Sequence, residues 1–233
     1  MLPVWHIMYY GRTFDQKILI VRKFKGRMVE TDKKREQIIE GAIKRFIHFG
    51  INKTTMNEIA EDLSVSKPSL YYYFPDKSSL ILGVVEKIFN DFFEAVYKEK
   101  KEGISLDVSI PRLIEIKHRF FQKYYMLHLS GGAPDASIIS AELRNFVDQM
   151  RAKVLSLYAD LFDAAIKRGE IVQQDSNKIA DLYMTSQDGL TSLCIMQGNK
   201  ELMPGKKDVK NMLERQLALA QVFVKGLKNN NQK

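Results

Sequence analysis

The segment from residue 64 to residue 77, SVSKPSLYYYFPDK, combines side chains that can bind phosphate. Lys67 and Lys77 carry ammonium groups, and the run from Tyr71 to Tyr73 carries three hydroxyls. Both kinds of group donate hydrogen bonds to phosphate oxygens, and a tyrosine ring can cover a sugar or a thymine methyl group. The pattern favours contact with a nucleic-acid backbone and groove edge. The alternative is that the aromatic run packs against a neighbouring domain, as aromatic residues at helical spacing usually do.

Three helical patterns must position these residues. Apolar residues recur at helical spacing over 32–50, which predicts an amphipathic first helix. Thr55 and Glu58 have the capping-box spacing at the start of a second helix of two turns. Ser66 suits the cap of a third helix, which ends at Pro75. Two short helices joined by a tight turn predict a helix-turn-helix, whose second helix enters the DNA major groove.

The third helix should present two faces. At 100° per residue, with Leu70 set inward, Tyr73 and Phe74 lie within about 60° of Leu70. The other face carries Pro68, Ser69, Tyr71 and Tyr72, and Lys67 sits at the helix start. The tyrosine run therefore divides into one core residue and two exposed residues.

The run TTMNEIAEDLSVSKPSLYYYFPDKSSL, residues 54–80, resembles the DNA-binding domain of the TetR family of transcriptional repressors. The resemblance covers roughly 33–82, including IIEGAIKRFIHFGINKTT in the first helix. It implies that the third helix reads a double-stranded operator and that the lysine after it holds a phosphate. Position by position, the implied DNA-binding residues are Thr55, Lys67, Pro68, Ser69, Tyr71, Tyr72 and Lys77.

Beyond residue 77 the helical periodicity continues without a convincing strand. We expect helices at about 77–101, 109–128, 136–168, 175–197 and 207–228, which gives an all-α fold with a three-helix N-terminal domain and a larger helical body. The resemblance implies that the last two helices, within residues 175–228, form a homodimer interface. The alternative is that their apolar residues belong to the core of a monomer.

A set of aromatic, apolar and polar residues in the body could line a pocket for a small lipophilic or aromatic effector. The candidates are Phe120, Tyr124, Tyr125, His128, Tyr158, Phe162, Met184 and Gln187. Each of them is also consistent with plain core packing. His118 and His128 lack the cysteine or carboxylate spacing of a metal site, so we expect neither a metal nor a cofactor.

The predicted domains are a helix-turn-helix domain over 28–77, a regulatory and dimerisation domain over 78–228, and a flexible tail over 229–233. We interpret residues 1–27 as the product of a mis-assigned start, with Met28 as the true one. A basic arm that enters the minor groove is the alternative. The overall net charge is +8, but residues 28–77 hold eight basic and eight acidic residues, so charge alone does not indicate DNA binding.

The sequence argues against other classes of protein. The nearest approach to a phosphate loop, GNKELMPGKK at 198–207, has six residues between its glycines and no Ser or Thr after its lysines. No apolar run reaches the length of a membrane span, and the single Cys194 excludes an internal disulfide, so we expect a cytoplasmic protein. The prediction is a ligand-responsive repressor; the alternatives are a ligand-independent architectural DNA-binding protein or a helical enzyme.

Overall fold

The computed structural model describes residues 33–99, 103–124, 139–197 and 206–228, and these residues form eight helices. The helices are α1 Lys33–Phe49, α2 Met56–Asp62, α3 Lys67–Tyr73, α4 Lys77–Glu99, α5 Leu106–Tyr124, α6 Ala141–Lys167, α7 Ser176–Gln197 and α8 Lys206–Leu227. Within these ranges, the only extended pairing is an isolated bridge between Ile171 and Lys228. The predicted all-α fold is confirmed. None of these helices is long and apolar enough to cross a membrane.

The described residues divide into two compact units. The first contains 33–88 and 139–147, and the second contains 89–124, 148–197 and 206–228. Helices α4 and α6 each contribute residues to both units. The predicted domain limits at 28–77 and 78–228 stay a prediction. The proposed extension 1–27 and the tail 229–233 lie outside the described residues.

The first unit is built on α1, which packs against α2, while α2 packs against α3. The amphipathic pattern of α1 buries Ile38, Ile39, Ala42 and Phe46. Gly41 lets α2 approach closely, because a Cβ atom there would lie 2.5 Å from Leu63 Cδ2. The apolar stripe read from the sequence therefore holds the two short helices in place.

Two helix starts differ from the predicted ones by three or more residues. The helix predicted at 109–128 begins at Leu106, because the Ser105 carbonyl already accepts from the Ser109 amide at 2.9 Å, and Pro111 lies inside the helix. The helix predicted at 136–168 begins at Ala141, because Ser140 Oγ accepts from the Leu143 amide at 3.1 Å and acts as a cap. The predicted helical residues 125–128 and 136–138 lie outside the described ranges.

In the second unit, α8 packs against α5 and α7. The turn after α6 makes hydrogen bonds to both α5 and α8. Glu170 Oε1 accepts from the Leu106 amide at 2.7 Å and so caps α5, while Val172 donates its amide to the Leu227 carbonyl at 3.0 Å. Arg168 donates to Glu170 Oε2 at 2.8 Å and to the Ile104 carbonyl at 3.1 Å. This turn fixes the start of α5 and the end of α8.

Candidate nucleic-acid interface

Thr55 begins α2 with a reciprocal capping box. The Glu58 amide donates to Thr55 Oγ1 at 3.3 Å, and the Thr55 amide donates to Glu58 Oε2 at 2.7 Å. Hydrogen bonds from the Thr55 backbone and then from its side chain, with the Arg45 charge, lower the pKa of Glu58. The sequence predicted this cap from its spacing. Thr55 is exposed, so its own side chain lies at the surface at the start of α2.

Ser64 makes the turn between α2 and α3 possible. Its φ of 51° is in the left-handed region, which serine adopts less readily than glycine. The turn is closed by a bond of 3.0 Å from the Val65 amide to the Ala60 carbonyl and another of 3.0 Å from the Ser64 amide to the Glu61 carbonyl. This closure redirects the chain sharply, so that α3 packs on α2.

Helix α3 is seven residues long and is fixed at both ends. Ser66 Oγ accepts from the Ser69 amide at 3.3 Å, and Pro68 stands in the first turn, where an amide would have no helical partner. Leu70 is fully buried, and Phe74, which caps the C-terminal end, is 2% exposed. The inward face of α3 therefore anchors it to the rest of the unit.

The outward face of α3 carries the residues proposed to touch DNA. Tyr72 is 81% exposed and Tyr71 is 44% exposed. Lys67 and Pro68 are exposed as well, while Ser69 and Tyr73 are half-buried. The Tyr72 and Tyr73 rings meet edge to face, with centroids 5.1 Å apart. The predicted division of the tyrosine run is confirmed for the two exposed residues, and Tyr73 lies at the boundary between the faces.

Phe74 locks α3 against α1 and α4. The Arg35 guanidinium lies 5.1 Å from the centroid of the Phe74 ring. A Cβ atom on Gly83 of α4 would lie 3.0 Å from Phe74 Cε1, so the glycine leaves room for the ring. The orientation of the exposed tyrosines therefore depends on an aromatic ring held between two longer helices.

Lys77 begins α4, and its surroundings are more crowded than the sequence suggested. Its ammonium lies 3.5 Å from the Asn52 carbonyl, and partial burial lowers the pKa of Lys77 against the opposing effect of the Glu58 charge. The Ser79 amide donates to Asp76 Oδ1 at 2.7 Å. The predicted phosphate contact of Lys77 stays a prediction, but one amide at this helix start already has the Asp76 carboxylate as its acceptor.

Arg45 has a supporting role that the sequence reading missed. Its guanidinium pairs with Asp62 at 2.6 Å and with Glu58 at 2.9 Å, and it lies 4.7 Å from the Phe49 ring centroid. These contacts tie α1 to both ends of α2. The residues are 13 and 17 positions from Arg45, and no short motif marks the pairing.

The candidate effector residues that the structure describes form two groups in the second unit. Tyr158 and Phe162 both meet the ring of Tyr183, at 5.1 and 5.9 Å, and Gln187 donates to the Tyr183 hydroxyl at 2.8 Å. Burial raises the pKa of Tyr158 and of Tyr183 above the ordinary phenol value. The remaining described members are Phe120 and Tyr124, whose rings lie 5.9 Å apart, and Met184, which is buried. Tyr125 and His128 lie outside the described residues.

A cavity of about 60 Å³ lies elsewhere in the second unit. Its lining residues are Val96, Glu99, Ile104, Ser109, Arg112, Leu113, Ile116, Leu157 and Leu161. None of the predicted effector residues is among them. In the part of the chain that the structure describes, no three His, Cys, Asp or Glu side chains are grouped so as to hold a metal ion.

The fold and the exposed face of α3 define a helix-turn-helix protein with a helical body. Residues 38–84 match the family model described as "Bacterial regulatory proteins, tetR family". The resemblance to the TetR family of transcriptional regulators seen in the sequence is confirmed over these residues. The matching relatives are named as transcriptional regulators, which supports the prediction that the chain is not an enzyme.

Two curated relatives and one solved structure are similar to this chain. It is 28% identical over 128 residues to the HTH-type transcriptional regulator RutR of Escherichia coli O157:H7, covering 52% of this chain and 60% of the relative. It is 25% identical to the biofilm operon icaADBC negative transcriptional regulator IcaR of Staphylococcus epidermidis, covering 50% and 62%. The matches thus span about three fifths of each relative. A transcriptional regulator structure from Cytophaga hutchinsonii superimposes with a TM-score of 0.74 at 26% identity, covering 85% of this chain and 100% of that one.

Proposed function

We propose that this protein is a transcriptional repressor that binds a near-palindromic operator as a dimer and is released by a small molecule. The observation that supports DNA binding is the exposed outward face of α3. Lys67, Tyr71 and Tyr72 are exposed on a helix whose inward residues Leu70 and Phe74 are buried. A helix anchored on one face and polar on the other is what major-groove recognition requires.

The residues of this face divide by the kind of contact proposed. Tyr72 and Lys77 hold phosphates and fix the register of the helix on the duplex. Lys67, at the first position of α3, is placed to reach base edges, since the N-terminal part of a recognition helix contacts them. Ser69 and Tyr71 contribute contacts in the DNA groove, beside Pro68. Thr55, at the start of α2, lies close to the DNA backbone.

The proposed dimer forms through α7 and α8. Leu182 and Leu193 of α7 are 60% and 53% exposed, and Val222 of α8 is 70% exposed. A Cβ atom on Gly189 or Gly226 would meet nothing within 4 Å, so both helices leave room for another backbone. Two-fold pairing presents two copies of α3, and this predicts an operator with matching half-sites.

The effector proposed is a small lipophilic or aromatic molecule bound in the second unit, with Phe120, Tyr124, Tyr158, Phe162, Met184 and Gln187 as its predicted contacts.

Helix α4 supports coupling of effector binding to DNA binding, because this single helix of 23 residues contributes to both units. A coupling of about 1.4 kcal/mol would lower operator affinity about tenfold. Repression is supported by the likeness to IcaR, which is a negative transcriptional regulator of the biofilm operon icaADBC. The proposed location is the cytoplasm, where the operator lies.

The test is to select binding sites from a pool of random duplexes with the full chain and to sequence the enriched fraction. A near-palindrome should be enriched by the parent and by Lys167→Ala, which changes an exposed lysine of α6. Lys67→Ala should lose the preference at specific positions. The absence of any enriched sequence with the folded parent would contradict the proposal. An operator complex that no compound from a broad lipophilic panel releases would favour the architectural alternative.

A further inference from the structure

The cavity in the second unit combines an apolar wall with one buried polar group that has no partner among the described residues. Its apolar lining comes from Val96 of α4, Ile104, Leu113 and Ile116 of α5, and Leu157 and Leu161 of α6. Ser109 Oγ is buried there and has no hydrogen-bond partner among the described residues. A buried hydroxyl without a partner is costly, so its presence in a cavity wall points to a ligand that completes its hydrogen bonds.

The charges around this cavity favour an anion. Glu99 pairs with Arg119 at 2.7 Å, so its charge is already compensated. Arg112 lines the cavity, and no carboxylate among the described residues pairs with it. The exposed Arg112 is therefore the uncompensated charge in the cavity lining.

The size of the cavity limits the apolar part of the ligand. A cavity of roughly 150 Å³ accommodates benzene. The observed 60 Å³ is less than half of this volume, which corresponds to the end of a short alkyl chain.

We propose that this cavity binds a short-chain aliphatic carboxylate, with its alkyl end between Leu113 and Leu157 and its carboxylate on Arg112 and Ser109. A guanidinium can donate two parallel hydrogen bonds to a carboxylate, and the serine hydroxyl supplies a third donor. Ser109 and Arg112 are three residues apart on α5, so both side chains lie on the same helix face. The binding of this acid does not rest on the proposed function, whereas its role as a second effector, at a site separate from the predicted effector residues, does.

The binding test uses calorimetric titration of the full chain with straight-chain carboxylates from acetate to octanoate. Butanoate or a close neighbour should bind best, and the matched amide and amine should bind at least about tenfold more weakly. Arg112→Gln should weaken acid binding by about tenfold or more, and Ser109→Ala by about threefold. Arg144→Gln, which alters an exposed arginine of α6 outside the cavity lining, should bind as the parent does.

Three results would overturn the site: no binding by any acid of the series, equal binding by the parent and a folded Arg112→Gln, or equal binding of butylamine and butanoate. Unfolding midpoints of each variant establish that the fold is intact. A parallel titration of the acid into the protein–operator complex tests its role as effector. A parent that binds butanoate but selects no operator would contradict the proposed function while the cavity assignment stands.

Discussion

Tyr72 and Lys77 are the residues through which we expect DNA binding without sequence preference. Tyr72→Phe removes only a hydroxyl from an exposed ring, so the fold should be unchanged and affinity should fall about three- to tenfold for every duplex. Lys77→Ala should also reduce the salt dependence of binding by about one counterion.

Lys67→Ala should instead relax the preference at one base position, by about 1–3 kcal/mol. Fluorescence anisotropy on the selected operator and on a scrambled duplex measures each effect.

Lys77 requires a control, since its ammonium also lies near the Asn52 carbonyl. The unfolding midpoint of Lys77→Ala separates a loss of that contact from a loss of phosphate binding. Equal operator affinity of the parent and a Lys67→Ala, Lys77→Ala double variant would contradict both assignments.

His118 makes stability depend on pH. The imidazole is 6% exposed, its Nδ1 has no hydrogen-bond partner in the part of the chain that the structure describes, and burial lowers the pKa of His118 below the ordinary value of 6.5. The unfolded chain therefore takes up a proton at a higher pH than the folded chain does. The stability that comes from neutral His118 is present above about pH 6.5 and is lost as the pH falls from there towards the lower, folded pKa.

We expect His118→Leu to flatten the fall of the unfolding free energy below pH 6.5, as measured by urea titration at several pH values. Glu86, whose pKa is raised by burial, contributes the opposite slope at lower pH, and it is common to both proteins. Parallel profiles for the parent and His118→Leu would contradict this account.

At the scale of the elements, the turn between α2 and α3 contains a strained residue. Ser64 has φ 51°, a conformation that glycine adopts without the steric penalty of a Cβ atom. Ser64→Gly should therefore raise the unfolding free energy by about 0.5–1 kcal/mol, and Ser64→Val should lower it by more. Chemical denaturation of the three proteins measures this. A Ser64→Gly protein less stable than the parent would show that the serine side chain contributes more than its backbone strain costs.

Periodicity and capping residues predicted the helices well where the signals are local. Thr55 and Ser66 begin α2 and α3 as their spacing indicated, because a cap acts within three residues. The sequence predicts the start of α5 three residues late, because Pro111 favours the first turn of a helix. Its N-terminus is instead capped by Glu170, 64 residues away, and a contact at that distance leaves no pattern in the local sequence.

At the scale of the whole molecule, the proposed site was predictable in its exposed residues and not in its support. Tyr71 and Tyr72 follow from the angular arrangement around Leu70, because a helix fixes which side chains share a face. The Arg45 pairs and the cavity around Ser109 depend on how distant helices pack, which a single sequence does not specify. The same limit applies to the effector residues, of which Tyr158 and Phe162 pack tightly on Tyr183.

The proposed dimer leads to a prediction about assembly. Leu182 and Val222 are exposed, so replacing both with glutamate should leave the protomer folded and place charges in the interface. Phe223 is less suitable for this test, because its ring lies 5.1 Å from that of Tyr183 and a charge there would disturb the core. The Leu182→Glu, Val222→Glu protein should be a monomer with weak operator binding, since one recognition helix would have to bind alone.

Sedimentation equilibrium of the parent and the double variant measures the association directly, and circular dichroism establishes that the helices remain. Leu182→Gln with Val222→Gln is a matched polar control, expected to weaken the dimer less than the charged pair does. Operator half-sites on separate duplexes give a second measurement, because a monomer should bind one half-site as well as the full operator. A charged variant that stays dimeric would place the interface on another surface. A monomeric variant that binds the full operator as tightly as the parent would show that recognition does not need a dimer.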